Sequence, residues 1–316
     1  MNEVLYLVVP AFNEKEVLDD CIKTLTNILD KMVTESLVSS ESKILFVDDG
    51  SKDNTWQIIK DANKENKYVK GISLSRNEGH QKALVAGLFK ALDDNADISI
   101  SIDADLQDDP NAIIEMVKEY HKGFDVVYGV RSSRKKDSFL KKFTAEAYYK
   151  FLKLMGVELI FNHADFRLLS KKALKCLRMY DERNLFLRGI IPQIGFNSTK
   201  VYYERLERKA GKSKYNLKKM FTLANDGITS FSLKPLQFIK FLSYIFLLGG
   251  LLSLIFCPIF VGLRYFDLSI IISVIVFVAG VLLYCLGTIG NYLGKNYIET
   301  KRRPLYFIKE DLDEEK

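Results

Sequence analysis

The apolar positions of this chain fall into two regimes that meet near Pro235. Before about residue 125, short apolar runs alternate with segments of helical spacing. Val4 to Val9, Lys43 to Val47, Val69 to Leu74 and Ile98 to Ile102 predict strands, and Glu16 to Lys31, Thr55 to Asn63 and Gln81 to Leu92 predict the helices between them. Such alternation predicts an α/β fold with a mostly parallel sheet. Ser51 and Asp53 ahead of the second helix, and Gly79 ahead of the third, are the expected start signals. Later the pattern loosens into a strand over Asp125 to Gly129, a helix over Ser138 to Leu154 and an irregular stretch to about Tyr203.

Beyond Pro235 the runs Phe241 to Leu263 and Leu268 to Gly294 carry no charge, and each exceeds the roughly twenty residues a helix needs to cross a bilayer. Two transmembrane helices are expected, joined by the tight turn Arg264 to Asp267. Lys234 and Lys240 precede the pair and Lys295, Lys301, Arg302 and Arg303 follow it, whereas Arg264 in the turn is balanced by Asp267. Positive charge stays inside, so both ends are expected in the cytoplasm. Just before the spans, Leu217, Met220, Phe221, Ala224 and Ile228 share a helical face, which suits the membrane interface; packing on the soluble domain is the plainer alternative. The expected organisation is a cytosolic domain over 1–210, an amphipathic juxtamembrane segment over 211–235, the spans over 236–294 and a cytosolic tail over 295–316.

Composition narrows the functional classes. With 316 residues, 48% hydrophobic and 27% charged, the chain can bury a real core. Its net charge of +6 argues against a nucleic-acid partner and suits anionic lipid or phosphate. Cys21, Cys176, Cys257 and Cys285 have neither metal-ligand nor disulfide spacing, which fits a reducing compartment. The N-terminal apolar run is too short for a signal peptide.

Each predicted strand of the first half ends on polar chemistry, as a ligand crevice along the carboxyl edge of a parallel sheet requires. The ends read VVPAFNE, VDDGS, SRNEGHQKA and DADLQDDP. Asp103 and Asp105, at i and i+2 where a β-branched run stops, can share a hard divalent cation with a diphosphate. Asn13 and Glu14 stand beside a helix start, and Asp48 and Asp49 can accept hydrogen bonds from a base or ribose. Taken singly, each has a plainer reading: a solvated acidic loop, a proline turn with a cap, an Asx turn. No G-x-G-x-x-G or G-x-x-x-x-G-K-[ST] follows the first strand, against a dinucleotide oxidoreductase or a P-loop NTPase. His80 is read as a helix-start hydrogen-bonding residue, Lys82 as a surface lysine, and His121 as part of a polar helix tail.

VVPAFNE, VDDGS-x-DNT, N-x-GHQKA, DADLQDDP, G-x-R and DFRLLS, in that order, resemble the motifs of the family 2 glycosyltransferases of GT-A fold. The chain is most similar to the bacterial polyprenyl-phosphate members, the bactoprenol glucosyltransferases and relatives of dolichol-phosphate mannose synthase. The resemblance covers nearly the whole chain. Gln193, Asn291 and His163 depart from residues common in relatives, on the membrane-proximal and acceptor side. The resemblance implies a GT-A nucleotide-sugar-binding domain followed by two membrane helices. It implies that Pro10, Ala11, Asn13, Glu14, Asp48, Asp49, Asp103 and Arg131 bind the nucleotide sugar, and that Asp103 and Asp105, assisted by Gln107, hold Mg²⁺ or Mn²⁺. Asp105 and Asp165 would be catalytic, Asp165 by orientation or electrostatics because a lipid monophosphate arrives already ionised, its second pKa being about 6. Arg167, Arg205, Arg208, Lys212 and Lys214 would bind the acceptor phosphate.

The expected reaction is inverting transfer of a hexose or N-acetylhexosamine from a UDP-sugar to undecaprenyl phosphate on the cytosolic face of the cell membrane. A flippase and a downstream transferase would use the product; a homo-oligomer is left open. Two other classes of protein are the alternatives. A processive polysaccharide synthase would carry a Q-x-x-R-W motif, whereas the single tryptophan here is Trp56. A non-catalytic membrane scaffold with a degenerate nucleotide-sugar fold would have no need of Asp103, Asp105, Arg131 and Arg167.

Overall fold

The computed structural model describes residues 3–132, 163–183, 186–206, 241 and 266–313. The expected helix Ser138 to Leu154, the amphipathic segment and, apart from Phe241, the first expected span lie outside the described residues. The chain divides into one unit holding the N-terminal two-thirds together with 304–316, and a second consisting chiefly of 217–303.

In the first unit, β1 (Leu5–Ala11), β2 (Lys43–Asp48), β3 (Val69–Leu74) and β4 (Ile98–Ser101) alternate with α1 (Leu18–Thr34), α2 (Thr55–Glu65) and α3 (His80–Asp93). After α4 (Ala112–His121) come β5 (Val126–Arg131), β6 (His163–Ser170), α5 (Lys171–Arg178), α6 (Leu187–Gln193) and β7 (Ser198–Tyr203). A last strand, β8 (Ile308–Asp311), follows α7 (Phe266–Lys301) of the second unit. The sheet order is β7-β5-β6-β4-β1-β2-β3-β8. β1 pairs in parallel with β2 and β4, and β2 with β3; β6 runs antiparallel to both β4 and β5, and β8 antiparallel to β3.

The apolar pattern explains the centre of this sheet. β1 is buried along its whole length, as a strand covered on both faces must be. Helix α1 lays Leu18, Cys21, Leu25, Ile28, Leu29 and Met32 in one buried stripe at helical spacing. Helix α3 can approach because Gly87 has no side chain: a Cβ there would stand 2.4 Å from Val8 Cγ1 and 2.7 Å from Val47 Cγ2. Strand order reverses between β1 and β4, so the crevice outside their carboxyl ends is the place where such sheets bind ligands.

One expectation about local structure changes. The stretch expected to be irregular contains β6, α5, α6 and β7. The alternation in HADFRLLS is masked because Asp165 and Arg167, two residues apart and so on one face of β6, stand where apolar residues were sought. The start of α2 carries the expected signal: Asp53 accepts the Thr55 N–H at 3.0 Å, and Asn54 flanks the helix.

Helix α7 is 36 residues long, about 54 Å at 1.5 Å per residue. Its side chains are exposed at Ile271, Ile275, Leu282, Leu286 and Leu293, among others. Among the described residues no helix is long and apolar enough to cross a membrane. The second expected span, Leu268 to Gly294, lies within this helix.

Candidate active site

The polar strand ends converge at the switch point. Beside β1, Pro10 and Ala11 are buried in the sheet, while Asn13 takes the left-handed conformation with φ 53°. Asn13 Oδ1 accepts the Lys52 N–H at 2.8 Å and Glu14 donates its N–H to Thr55 Oγ1 at 2.9 Å, which joins the ends of β1 and β2. Asp48 and Asp49 are 2% and 3% exposed. Asp48 accepts the Ser51 N–H at 3.1 Å and the Ser73 hydroxyl at 2.8 Å. Asp49 accepts the N–H groups of Glu78 at 2.7 Å and Gly79 at 3.0 Å; burial still pushes its carboxyl above the ordinary value, the two donors working against this. Both acids thus build the crevice wall, leaving only their remaining lone pairs for a nucleoside.

This wall depends on Gly50. Its φ is +67°, and a Cβ would lie 2.6 Å from the Arg76 carbonyl carbon and 2.7 Å from Asn77 N. Gly50→Ala is therefore expected to cost about 1–3 kcal/mol of stability by combining a strained backbone with a backbone clash. Thermal unfolding of the two proteins checks this, and an unchanged melting temperature would contradict it.

At β4 and β6 the register does the positioning. Ser101 pairs with Arg167 in an antiparallel ladder, and continuing that register by two residues sets Asp103 opposite Asp165. His80, at the first turn of α3, stands between them, with Nε2 3.7 Å from both Asp103 Oδ1 and Asp165 Oδ2. Arg188 on α6 reaches Asp165 with Nε at 3.2 Å and Nη2 at 3.0 Å, and Arg167 also donates to Asp165.

The electrostatics follow from this cluster. Burial opposes the charge of Asp165, but Arg188, His80 and Arg167 outweigh it and hold the carboxyl well below the ordinary range. For His80, burial disfavours the imidazolium, yet the Asp165 bond and the charges of Asp103 and Asp165 push its pKa up to about 9. Asp103 is half-exposed at the crevice. Desolvation pushes its carboxyl up; His80 opposes this, and Asp108, Asp165 and Asp105 add to it. The carboxylates of Asp103 and Asp165 thus face the cations of His80, Arg167 and Arg188.

Asp103, Asp105 and Gln107 are half-buried on one turn, with Gln107 N donating to Asp105 Oδ1 at 3.3 Å. Among the described residues no group of three or more His, Cys, Asp or Glu forms a metal cage. None is required, since Mg²⁺ is commonly held by one or two carboxylates with substrate phosphates and water. Their hard oxygen donors make Asp103 and Asp105 a fitting pair for such a cation. The Gln107 side chain instead takes a hydrogen bond from Arg205, and its carbonyl accepts the Leu206 N–H at 2.8 Å. Arg131 is paired to the buried Asp108, with Nη2 at 2.8 Å and Nε at 3.0 Å.

Some expected site residues are placed differently. Arg167 is 1% exposed, its guanidinium committed to Asp165 and the Leu187 carbonyl. An acceptor phosphate cannot reach it without opening the core, so its place is support for Asp165. His80 is more than the helix-start residue its position suggested. Arg208, Lys212 and Lys214 lie outside the described residues. Arg188 carried no sequence signal, because it sits at no predicted strand end, and Asp108 was not singled out within DADLQDDP; the importance of both comes from partners distant along the chain.

An open, mostly parallel sheet with acids and bases gathered at its switch point is the architecture of a nucleotide-handling α/β enzyme. Residues 6–178 match the model of the family "Glycosyl transferase family 2". The chain is 48% identical over 311 residues to the uncharacterized glycosyltransferase YkoT of Bacillus subtilis, covering 98% of this chain and 92% of that one. It is 38% identical to a bactoprenol glucosyl transferase of Shigella phage SfV, covering 96% of this chain and 98% of the relative. To a prophage bactoprenol glucosyl transferase homolog of Escherichia coli it is 37% identical, covering 96% and 97%. The chain belongs to the family 2 glycosyltransferases, and its α/β domain has the GT-A-like fold.

Proposed function

We propose that the chain transfers a hexose or N-acetylhexosamine, with inversion, from a UDP-sugar to a polyprenyl phosphate at the cytosolic face of a membrane. The observation that carries this reading is the joining of Asp103 and Asp165 through His80, with Arg188 on Asp165, at the switch point of the sheet. The names of the bactoprenol glucosyl transferases it resembles support the acceptor.

The cluster suits an acceptor that is already a nucleophile. A carboxylate held well below its ordinary range is a poor base. Asp165 therefore serves by orienting Arg188 and His80, and a phosphate with a second pKa of about 6 needs no base at neutral pH. Arg188 and His80, 27% and 45% exposed at their side chains, present positive charge to the crevice. There they stabilise phosphate charge on the acceptor or the departing diphosphate. Mg²⁺ or Mn²⁺, bound by Asp103 and Asp105, would neutralise charge on the departing nucleoside diphosphate. Arg208, Lys212 and Lys214 remain the proposed acceptor-phosphate ligands, and Arg205, tied to Gln107, marks the rim between donor and acceptor sides.

Membrane attachment through two spans, with the catalytic domain and both termini cytoplasmic, is part of the proposal. It is supported by the uncharged runs in the sequence and by the apolar side chains exposed along α7. A further support is that β3 and β8, on either side of segment 207–303, hydrogen-bond in one sheet. A segment that leaves and returns to one sheet crosses a bilayer an even number of times. The product would then be used by a flippase and an outer-surface transferase.

The test is incubation of the purified protein with undecaprenyl phosphate and a panel of radiolabelled UDP-sugars. Label from one sugar is expected in the organic phase; label from none of them would defeat the proposal.

A further inference from the structure

β8 comes from the chain beyond segment 207–303, yet it completes the catalytic domain's sheet. Its register against β3 pairs Ile72 with Asp311, Ser73 with Glu310 and Leu74 with Ile308. Leu312 donates its N–H to the Gly71 carbonyl at 3.1 Å and is 9% exposed. It seats in the notch left by Gly71, where a Cβ would lie 3.0 Å from Leu312 Cδ1 and 2.6 Å from Ile59 Cγ2. Each acid of the tail segment Glu310, Asp311 and Asp313 takes a lysine: Lys60 pairs with Glu310, Lys90 with Asp311 at 2.7 Å, and Lys70 with Asp313 at 2.7 Å. The Trp56 indole N–H donates to Glu310 at 2.9 Å.

The contact does not stop at the strand. Ser75, the first residue past β3, donates its N–H to the Phe307 carbonyl at 2.9 Å. Ser75 opens the loop that passes over Gly50, places the N–H groups of Glu78 and Gly79 on Asp49, and ends at His80. Where this loop leaves the sheet is therefore fixed on one side by the returning tail.

We propose that β8 is a positioning strand for loop 75–80, so that the tail returning from the hydrophobic segment sets the donor side of the active site. This rests on reading the crevice as a nucleotide-sugar site. Without β8, β3 becomes an open edge, and the loop loses its anchor at Ser75 while keeping the contacts to Asp49 and Gly50 and those of His80 to Asp103 and Asp165. The tail's lysine partners lie on α2, β3 and α3, so the strand also ties together the three elements that surround the loop.

The test uses full-length protein. Leu312→Pro removes both the N–H and the buried side chain, and Glu310→Ala is a milder second variant that leaves the apolar seat intact. Trp56 is the sole tryptophan, so its emission reports release of β8. Hydrogen exchange at Glu78 and Gly79 reports the loop independently of any ligand, and exchange in β1 reports global folding. In Leu312→Pro we expect a red-shifted Trp56 emission and exchange at Glu78 and Gly79 about tenfold faster or more, with β1 protection kept. Donor KM is expected to rise about tenfold with kcat changed less than about threefold, and Glu310→Ala to move all three in the same direction by less. If Leu312→Pro also exposes β1, Glu310→Ala decides. A shifted Trp56 emission with wild-type protection at Glu78 and Gly79 would overturn the proposal. Lost protection with an unchanged donor KM would leave the strand's positioning role standing and remove the donor assignment of the loop.

Discussion

Asp165→Asn is expected to lower kcat/KM for sugar transfer by about a hundredfold or more and to destabilise the domain by about 3–5 kcal/mol. The stability term comes from charge balance. Asp165 faces Arg188, Arg167 and His80 in a site where Arg167 is almost wholly out of water, and asparagine leaves these cations without their shared anion. The folded-state pKa of Asp165 is depressed, so its contribution is present above the ordinary carboxylate value near 3.8 and is lost as pH falls through the lower folded value. The stability gap between wild type and Asp165→Asn should therefore be full at pH 7 and should narrow below about pH 4. Denaturant unfolding across that range checks the sign. The catalytic term separates two roles: if Asp165 orients Arg188 and His80, Asp165→Glu also fails because the longer side chain misplaces both. If it is instead a proton acceptor, Asp165→Glu should recover much of the rate.

Asp105→Ala is expected to reduce transfer about a thousandfold, since charge neutralisation on a departing diphosphate contributes several kcal/mol to the transition state. Asp103→Ala should do the same, with a second consequence. It removes one of the two carboxylates flanking His80, so the imidazole pKa should fall from about 9. Activity with and without chelator, followed by readdition of Mg²⁺ or Mn²⁺, together with NMR titration of His80, would check both statements. Wild-type rates after exhaustive chelation would remove the metal from the reaction.

The parallel half of the sheet was legible because its physics is local. Strands buried on both faces read as continuous apolar runs, and Val69 to Leu74 was placed residue for residue. The acidic strand ends were equally legible, since Asp48, Asp49, Asp103 and Asp105 stop apolar runs abruptly. β6 was not, because its charged residues Asp165 and Arg167 are buried against each other and erase the alternation that marks a strand. β8 reads only as a tail: four residues with three charges carry no strand signal until β3 supplies their partners.

The sequence by itself determined the fold class, the family resemblance and which carboxylates stand at the sheet's edge. Tertiary structure alone decided their tasks. The β4–β6 register sets Asp103 across from Asp165, which turns His80 into a cation and withdraws Arg167 from the acceptor. The pairing of β8 with β3 brings the last described strand to loop 75–80. The physical reason is range: apolar periodicity is written within a few residues, whereas an ion pair or a strand partner depends on residues that meet only after the sheet has formed.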